Sequence, residues 1–479
     1  MAWCGPNMTV VMVCGEDERC ETVYFGKDRF CLVSSDMYFV RTPTPLLFCL
    51  QPVHAVQVAF GENHMAVVTG CKQLFMAGSN AFGQLGRGHT WASDSYFTLF
   101  RASIDPTQVD GQVQSAACGS SHTLVVLASG GESFVMGCGK NCSGQLAAVG
   151  FPPDSNTNYT TWTDLDLTSL KAQQSTSGPV RVAAGARHSV ISVGDAVATV
   201  GKVANAGSVS ADPLSSDTAG RWKVHTDVPW RGTAIKHLVS GLDHVLLAVA
   251  TGNRLHVYGW GTNDCCQLGY PAFESTEFVV ETPSRLWFDC PEQPSNTFPS
   301  MLAAGAGSSM VMVGGEVWCM WSPSESAKDL HVAAFRKLEQ SHFNGLPIAF
   351  ISIGATQDCF ATTCGKLFMS GFQEDEDFEE DNGIPTSFRK LRHGVKGLCE
   401  PDSLTVPTIV PSQLLLDKPV HVSMPSTHKV AFLMGTHKRL GGQSKHGKQA
   451  ESCLLLHVDQ LVLQMILNIA EAIAQPVLV

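Results

Sequence analysis

One phrase recurs along this chain and constrains its fold more than any other feature. VQVAFGENHMAVV at Val56–Val68 returns as VQSAACGSSHTLVVL at Val113–Leu127, VRVAAGARHSVISV at Val180–Val193 and IKHLVSGLDHVLLAV at Ile235–Val249. Each copy carries an anchor glycine and, three residues later, a histidine: Gly61 and His64, Gly119 and His122, Gly185 and His188, Gly241 and His244. A second strand-like arm follows each time, LFMAG to Gly78, FVMGCG through Gly137, VATVG to Gly201 and LHVYGWG through Gly259. The arm glycine lies roughly 16–18 residues after the anchor, and a constant offset inside repeats of variable length is the mark of stacked β units.

Fainter copies extend the series. Gly305 is an anchor with Ser322 in the arm-glycine place, Gly354 pairs with Gly371, and Gly5 with Gly26 near the start. Near the end, Pro425 and His428 stand at the anchor places. That makes about eight anchors and seven arms, spaced roughly 49–71 residues apart. Apolar residues alternate in short runs that stop at Gly, Asn, Ser or Pro, which reads as strands. One such sheet cannot bury both its faces, but radial stacking buries each against its neighbours. The expected fold is all-β, a seven-bladed β-propeller over residues 1–435, followed at 436–479 by a basic loop and a short C-terminal helix. Closure requires chain start and chain end to share a blade or meet at one seam, and the extra anchor at Pro425–His428 fits that need. His437–Lys448 reads as a flexible loop. Leu454–Ala474 reads as the helix, with Val462, Met465, Ile466, Ile469 and Ile473 along one face.

A net charge of −11 argues against the basic footprint that nucleic acid calls for, although Gly383–Ala450 is locally basic. The 17 cysteines include no C-x-x-C, the short spacing that zinc sites pair with histidine. They read as small buried residues in a reducing compartment. No secretory leader and no apolar stretch long enough to cross a membrane is present, so an intracellular location, cytoplasmic or nuclear, is expected. The Walker-like GQSKHGK at Gly442–Lys448 has Gln449 where a magnesium-binding Ser or Thr belongs. No catalytic residue, metal or cofactor is assigned.

The arms carry a more specific signature. AGSNAFGQLGRG at Ala77–Gly88, MGCGKNCSGQL at Met136–Leu146 and YGWGTNDCCQLG at Tyr258–Gly269 follow the pattern G-x-N-x-x-G-Q-L-G, with Ala147 in place of the final glycine in the second of these and Cys266 replacing a glycine in the last. The fourth arm, VATVGKVANAG, lacks the Gln-Leu-Gly. Preceded by an A-x-G-x-x-H strand, this pattern resembles the repeat of the regulator of chromosome condensation family, which implies a seven-bladed propeller. The glycines suit turns closed to other residues, and Asn80 and Asn263 can bond their own backbone there. The four recurring histidines are expected to hydrogen-bond backbone between blades rather than bind metal.

The family resemblance also implies loop faces that bind proteins. Its best-known member exchanges nucleotide on the small GTPase Ran while bound to chromatin, and exchange works by linkage, through preference for the nucleotide-free state. The expected function is a non-enzymatic propeller, a scaffold that binds partner proteins through its loop faces. The alternative is a guanine-nucleotide exchange factor for a Ran-like small GTPase. The chain has no basic N-terminal tail, so nucleic acid or chromatin is not an expected partner, nor is a membrane. The candidate contact is an acidic run, Glu374, Asp375, Glu376, Asp377, Phe378, Glu379, Glu380 and Asp381. One aromatic among carboxylates could steer and then anchor a basic partner surface, though a solvated insert is the plainer alternative.

Overall fold

The structure, a computed structural model, describes residues 1–5, 8–14, 20–27, 39–48, 51–90, 99–102, 104, 112–147, 158–203, 222–251, 254–263, 266–269, 279–286, 300–320, 335–354, 357–371 and 408–410. These residues form seven antiparallel four-stranded sheets and one small ribbon, Leu47–Phe48 with Gln51–Pro52. Each sheet is a meander of four consecutive strands, one blade of a seven-bladed β-propeller. Blade 1 is Ala2–Cys4, Met8–Cys14, Cys20–Lys27 and Phe39–Pro45. Blade 2 is Ala55–Phe60, His64–Thr69, Leu74–Gly78 and Phe100–Arg101; blade 3 is Gln112–Cys118, His122–Ser129, Glu132–Gly139 and Tyr159–Asp164. Blade 4 is Val180–Ala184, His188–Val193, Ala196–Gly201 and Lys223–His225; blade 5 is Ile235–Ser240, His244–Thr251, Arg254–Thr262 and Val279–Arg285. Blade 6 is Met301–Ala304, Ser309–Val313, Glu316–Met320 and Arg336–Lys337; blade 7 is Ile348–Ile353, Gln357–Thr362, Leu367–Gly371 and Thr408–Val410.

The first strand of every blade packs against the first strands of both neighbours, so these seven line the central axis. The second strands of blades 2 to 6 are buried along nearly their whole length, because they sit between two sheets. Their side chains alternate between the two seams, as the two-residue period of a strand demands. Met65 and Val67 enter the core shared with blade 1, while Ala66 and Val68 enter the core shared with blade 3. Leu124 and Val126 face blade 4, and Val125 and Leu127 face blade 2. Leu246 and Ala248 face blade 6, whereas Leu247 and Val249 face blade 4. Met310 and Met312 meet Phe360 and Phe368 of blade 7.

Among the described residues no blade is shared between the two ends of the chain. Blade 1 is built wholly from the start of the chain, and the described part of blade 7 from residues after 347. They meet face to face through Ala2, Cys4, Val11 and Val23 against Cys359, Leu367 and Met369. Among the described residues, hydrogen bonds cross this seam from Cys4 N to Ser352 Oγ (2.9 Å) and from Gln357 Nε2 to Thr9 Oγ1 (2.5 Å). Helix among the described residues is confined to Thr168–Gln173 and one 3-10 turn, Gln340–Phe343. The anticipated anchor at Pro425–His428, the basic loop and the C-terminal helix lie outside the described residues, and so does Ser322.

Alternation makes a prediction about neighbours in sequence. Leu246→Ala and Leu247→Ala should each cost about 2–5 kcal/mol in urea unfolding, as large-to-small core changes do. They hollow different seams, so the double variant should lose the sum of the two to within about 0.5 kcal/mol, as independent sites do. A coupling of several times that size would mean that both side chains share one core.

Candidate functional site

The repeated histidines close the inner ring. His64 Nε2 lies 2.9 Å from Thr123 Oγ1, His122 Nε2 3.0 Å from Ser189 Oγ, His188 Nε2 2.8 Å from Ser240 Oγ, and His244 Nε2 2.9 Å from Ser309 Oγ. Each imidazole therefore reaches a hydroxyl on the following blade. This side-chain partner stands beside the backbone one expected from the sequence, since His64 and His122 also bond the backbone of His122 and His188 on the following blade. The hydroxyl protons decide the tautomer. Thr123 Oγ1 donates to Gln84 O at 2.8 Å, and Ser240 Oγ donates to Gly241 O and His244 O. Both oxygens must then accept from Nε2–H. Where blade 7 lacks the histidine, Gln357 stands in its place and donates to Thr9 of blade 1.

The anchor glycines have a different task from the one the turn argument suggested. None of Gly61, Gly119, Gly185 or Gly241 has positive φ. They let backbone meet backbone across the seams. A Cβ on Gly119 would lie 2.3 Å from Gly185 O, and one on Gly241 2.2 Å from Gly305 O, with the blade's own histidine ring equally close. Left-handed conformation belongs to the arm glycines that pair with the histidines, Gly78, Gly139, Gly201 and Gly261, at φ of 102°, 108°, 87° and 106°. Register thus moves the arm glycine of blades 3 and 5 from Gly137 and Gly259 to Gly139 and Gly261, so the offset from the anchor is not constant.

Beyond the arm glycine, the asparagine turn is self-contained. Asn80 Oδ1 accepts from Leu85 N (3.1 Å), Asn141 Oδ1 from Leu146 N (2.8 Å) and Asn263 Oδ1 from Leu268 N (2.9 Å). The three leucines are buried in the seams. In blade 2 the turn lies across the outer strand of blade 3, where Gly88 N donates to Thr160 O at 2.7 Å. Cys266 holds its φ of 57° in the glycine's place.

These elements shape one face. In a meander, the first-to-second turns and the third-to-fourth connections leave the same end of the blade. The third-to-fourth connections run over residues 28–38, 79–99, 140–158, 202–222, 263–278, 321–335 and 372–407. The opposite face carries the second-to-third links, short at for example 130–131, 194–195 and 314–315, and the links from blade to blade, such as 165–179 and 286–300. At the axis of the loop-bearing face sit the turns with Glu62, Ser120, Arg187 and Leu242. Leu242 is 44% exposed although its backbone is pinned on both sides, N to Gly305 O and O to Ala186 N. Sequence reasoning missed this leucine, since it fills a variable turn position. The acidic run Glu374–Asp381 belongs to the 372–407 connection and lies outside the described residues. Among the described residues no cluster of three His, Cys, Asp or Glu could hold a metal ion, and no helix is long and apolar enough to cross a membrane.

Comparison with known proteins agrees with the repeat and its geometry. A family model described as "Regulator of chromosome condensation (RCC1) repeat" matches residues 73–126, from the third strand of blade 2 into the second strand of blade 3. The X-linked retinitis pigmentosa GTPase regulator of Mus musculus is 35% identical over 126 residues, 26% of this chain and 10% of that protein. The secretion-regulating guanine nucleotide exchange factor of Bos taurus is 37% identical over 90 residues, 19% of this chain and 18% of that protein. The matched stretches are thus a small part of each relative's length. The crystal structure of Prp20p from Saccharomyces cerevisiae covers 78% of this chain and 80% of its own, at a TM-score of 0.50 and 17% identity, which shows the shared fold. Residues 73–126 thus match a regulator of chromosome condensation repeat, and the described residues share the propeller fold of Prp20p.

Burial holds the clasping imidazoles neutral, lowering His64 and His188 to about 3 and His122 to about 4. A histidine whose folded value is depressed destabilises the fold as pH drops below its unfolded value near 6.5, because only the unfolded chain takes up the proton. Each ring should therefore cost about 1 kcal/mol per pH unit below about 6.5. Unfolding free energy measured from pH 7.5 to 5 should fall steeply. His64→Gln, which installs the side chain blade 7 already uses, should flatten that slope by one ring's worth; an unchanged slope would show that His64 is not held neutral.

Proposed function

We propose that this chain is a non-enzymatic propeller that binds partner proteins through the loop-bearing face. The observation that carries the reading is the division of labour between the faces: seven long connections and an exposed, backbone-pinned Leu242 share one end of a rigid ring. Binding residues on variable loops over a fixed scaffold are the common arrangement for recognition. An apolar side chain ringed by polar turns suits the centre of a contact. The acidic run from Glu374 to Asp381 supplies long-range attraction for a basic partner. The chain's negative charge disfavours nucleic acid but favours basic proteins, so the expectation that chromatin is no partner is withdrawn. The yeast Prp20p structure is described with its binding properties to Gsp1p and histones.

A second reading, an exchange factor for a Ran-like small GTPase, is supported by the relatives named for GTPase regulation and guanine nucleotide exchange. Exchange needs neither nucleophile nor cofactor; it requires tighter binding of the nucleotide-free GTPase.

The test is capture from lysate by the full chain, with and without EDTA, alongside Leu242→Asp and a variant with the seven carboxylates at 374–381 changed to Ser. Partners held equally in both samples, and weakened about tenfold (about 1.4 kcal/mol) by either variant at unchanged thermal stability, are the expected result. A GTPase retained mainly with EDTA would favour the second reading. Capture that neither variant alters would remove this face from the proposal.

A further inference from the structure

The repeat builds the same contact at every seam. The residue before the anchor glycine of one blade packs against the residue two places after the histidine position of the preceding blade. Phe60 meets Val10, Cys118 meets Ala66, Ala184 meets Leu124, Ala304 meets Leu246 and Ile353 meets Met310. At the closing seam this rule brings Cys4 of blade 1 onto Cys359 of blade 7. Both are buried in one apolar cluster with Ala2, Val11, Leu367 and Met369. Cys4 N donates to Ser352 Oγ at 2.9 Å, and Ser352 is the cross-strand neighbour of Cys359. The two thiols share this cluster without a covalent bond between them. Thr9 lies 3.8 Å from the Cys4 sulfur. Among the described seams this is the one with cysteine at both places, and the one that no described stretch of chain crosses.

We propose that Cys4 and Cys359 are a redox pair whose oxidation to a disulfide staples blade 1 to blade 7 and closes the ring covalently. The oxidant is a peroxide or a small-molecule disulfide. With hydrogen peroxide, one sulfur attacks a peroxide oxygen; an S–O bond forms, the O–O bond breaks, and water leaves after protonation. The other sulfur then attacks the sulfenic sulfur; the S–S bond forms, the S–O bond breaks, and a second water leaves. Two thiols lose two electrons and two protons, and one peroxide is reduced to two waters. With a disulfide oxidant, a thiolate attacks it to give a mixed disulfide, and the second cysteine displaces the leaving thiol. Burial, then the neighbouring Cys359, raises the Cys4 thiol well above its usual range. The pair is therefore inert while the seam is shut and reacts when the seam opens, which is how local opening exposes buried thiols. A cross-link between strands so distant in sequence restricts the unfolded chain strongly.

The full chain, reduced and then treated with hydrogen peroxide or oxidised glutathione, is digested without reduction and mapped by mass spectrometry. The expected result is a linked peptide pair containing Cys4 and Cys359, with a thermal midpoint a few degrees above that of the dithiothreitol-treated protein. Cys4→Ser and Cys359→Ser should each abolish the linked peptide and the midpoint difference. Cys4 found unlinked or paired elsewhere after oxidation, or a midpoint rise that survives in the variants, overturns the proposal. The wild-type peptide map decides the matter alone if either variant folds poorly.

Discussion

No sheet in this protein can hide both of its faces by itself, and the structure follows from that constraint. The second strand of each blade sends alternate side chains to opposite neighbours, so every core is shared between two blades. Seven seams need seven cores, and the apolar clusters divide along those lines. A blade removed from the ring would expose both faces. The minimum stable object is the closed ring, and closure must succeed at the one seam where the chain offers no continuity.

Apolar burial does not set the angle between blades; the inner ring does. There the histidine of one blade bonds the hydroxyl of the next, while anchor glycines let main chains touch. Thr123 shows how this ring connects to the loops. It accepts from His64 of blade 2 and donates to Gln84 O in the connection that leaves the same blade. The turn geometry on the loop-bearing face is therefore tied to the seam beneath it. Asp195 plays a similar part on the opposite face. Its carboxylate accepts from Ser175 and Thr176 on one side and Gly232 on the other.

The ring was legible because its physical demands recur. Close approach requires glycine and the clasp requires a donor, and both fall at fixed places in each blade. The clasp's acceptor was visible in retrospect, since Thr123, Ser189 and Ser309 directly follow the histidine places. Recognising it needed the knowledge that consecutive repeats abut, and Ser240, which comes from the other strand, had no such signal. Gly137 and Gly259 were mistaken for arm glycines because both sit in G-x-G, and only pairing with His122 and His244 separates the two glycines. Leu242 illustrates why the binding face was harder to read. No backbone demand selects the residue there, so the repeat leaves no signal at that point. The acidic run lies outside the described residues, and its place in the argument rests on charge alone.

Topology gives the seam between blades 1 and 7 one more property. A closed circle cut once is a split washer: stiff in its plane at every point but one, and soft to prising at the cut. The other six junctions share strain with a covalent link, whereas this junction carries it through one apolar patch and a few hydrogen bonds. A ligand that bridges the cut stiffens the entire hoop, and one that binds a single blade leaves its compliance as it was. Where a partner sits around the circumference thus decides whether it only docks or also changes the mechanics of everything else attached to the ring.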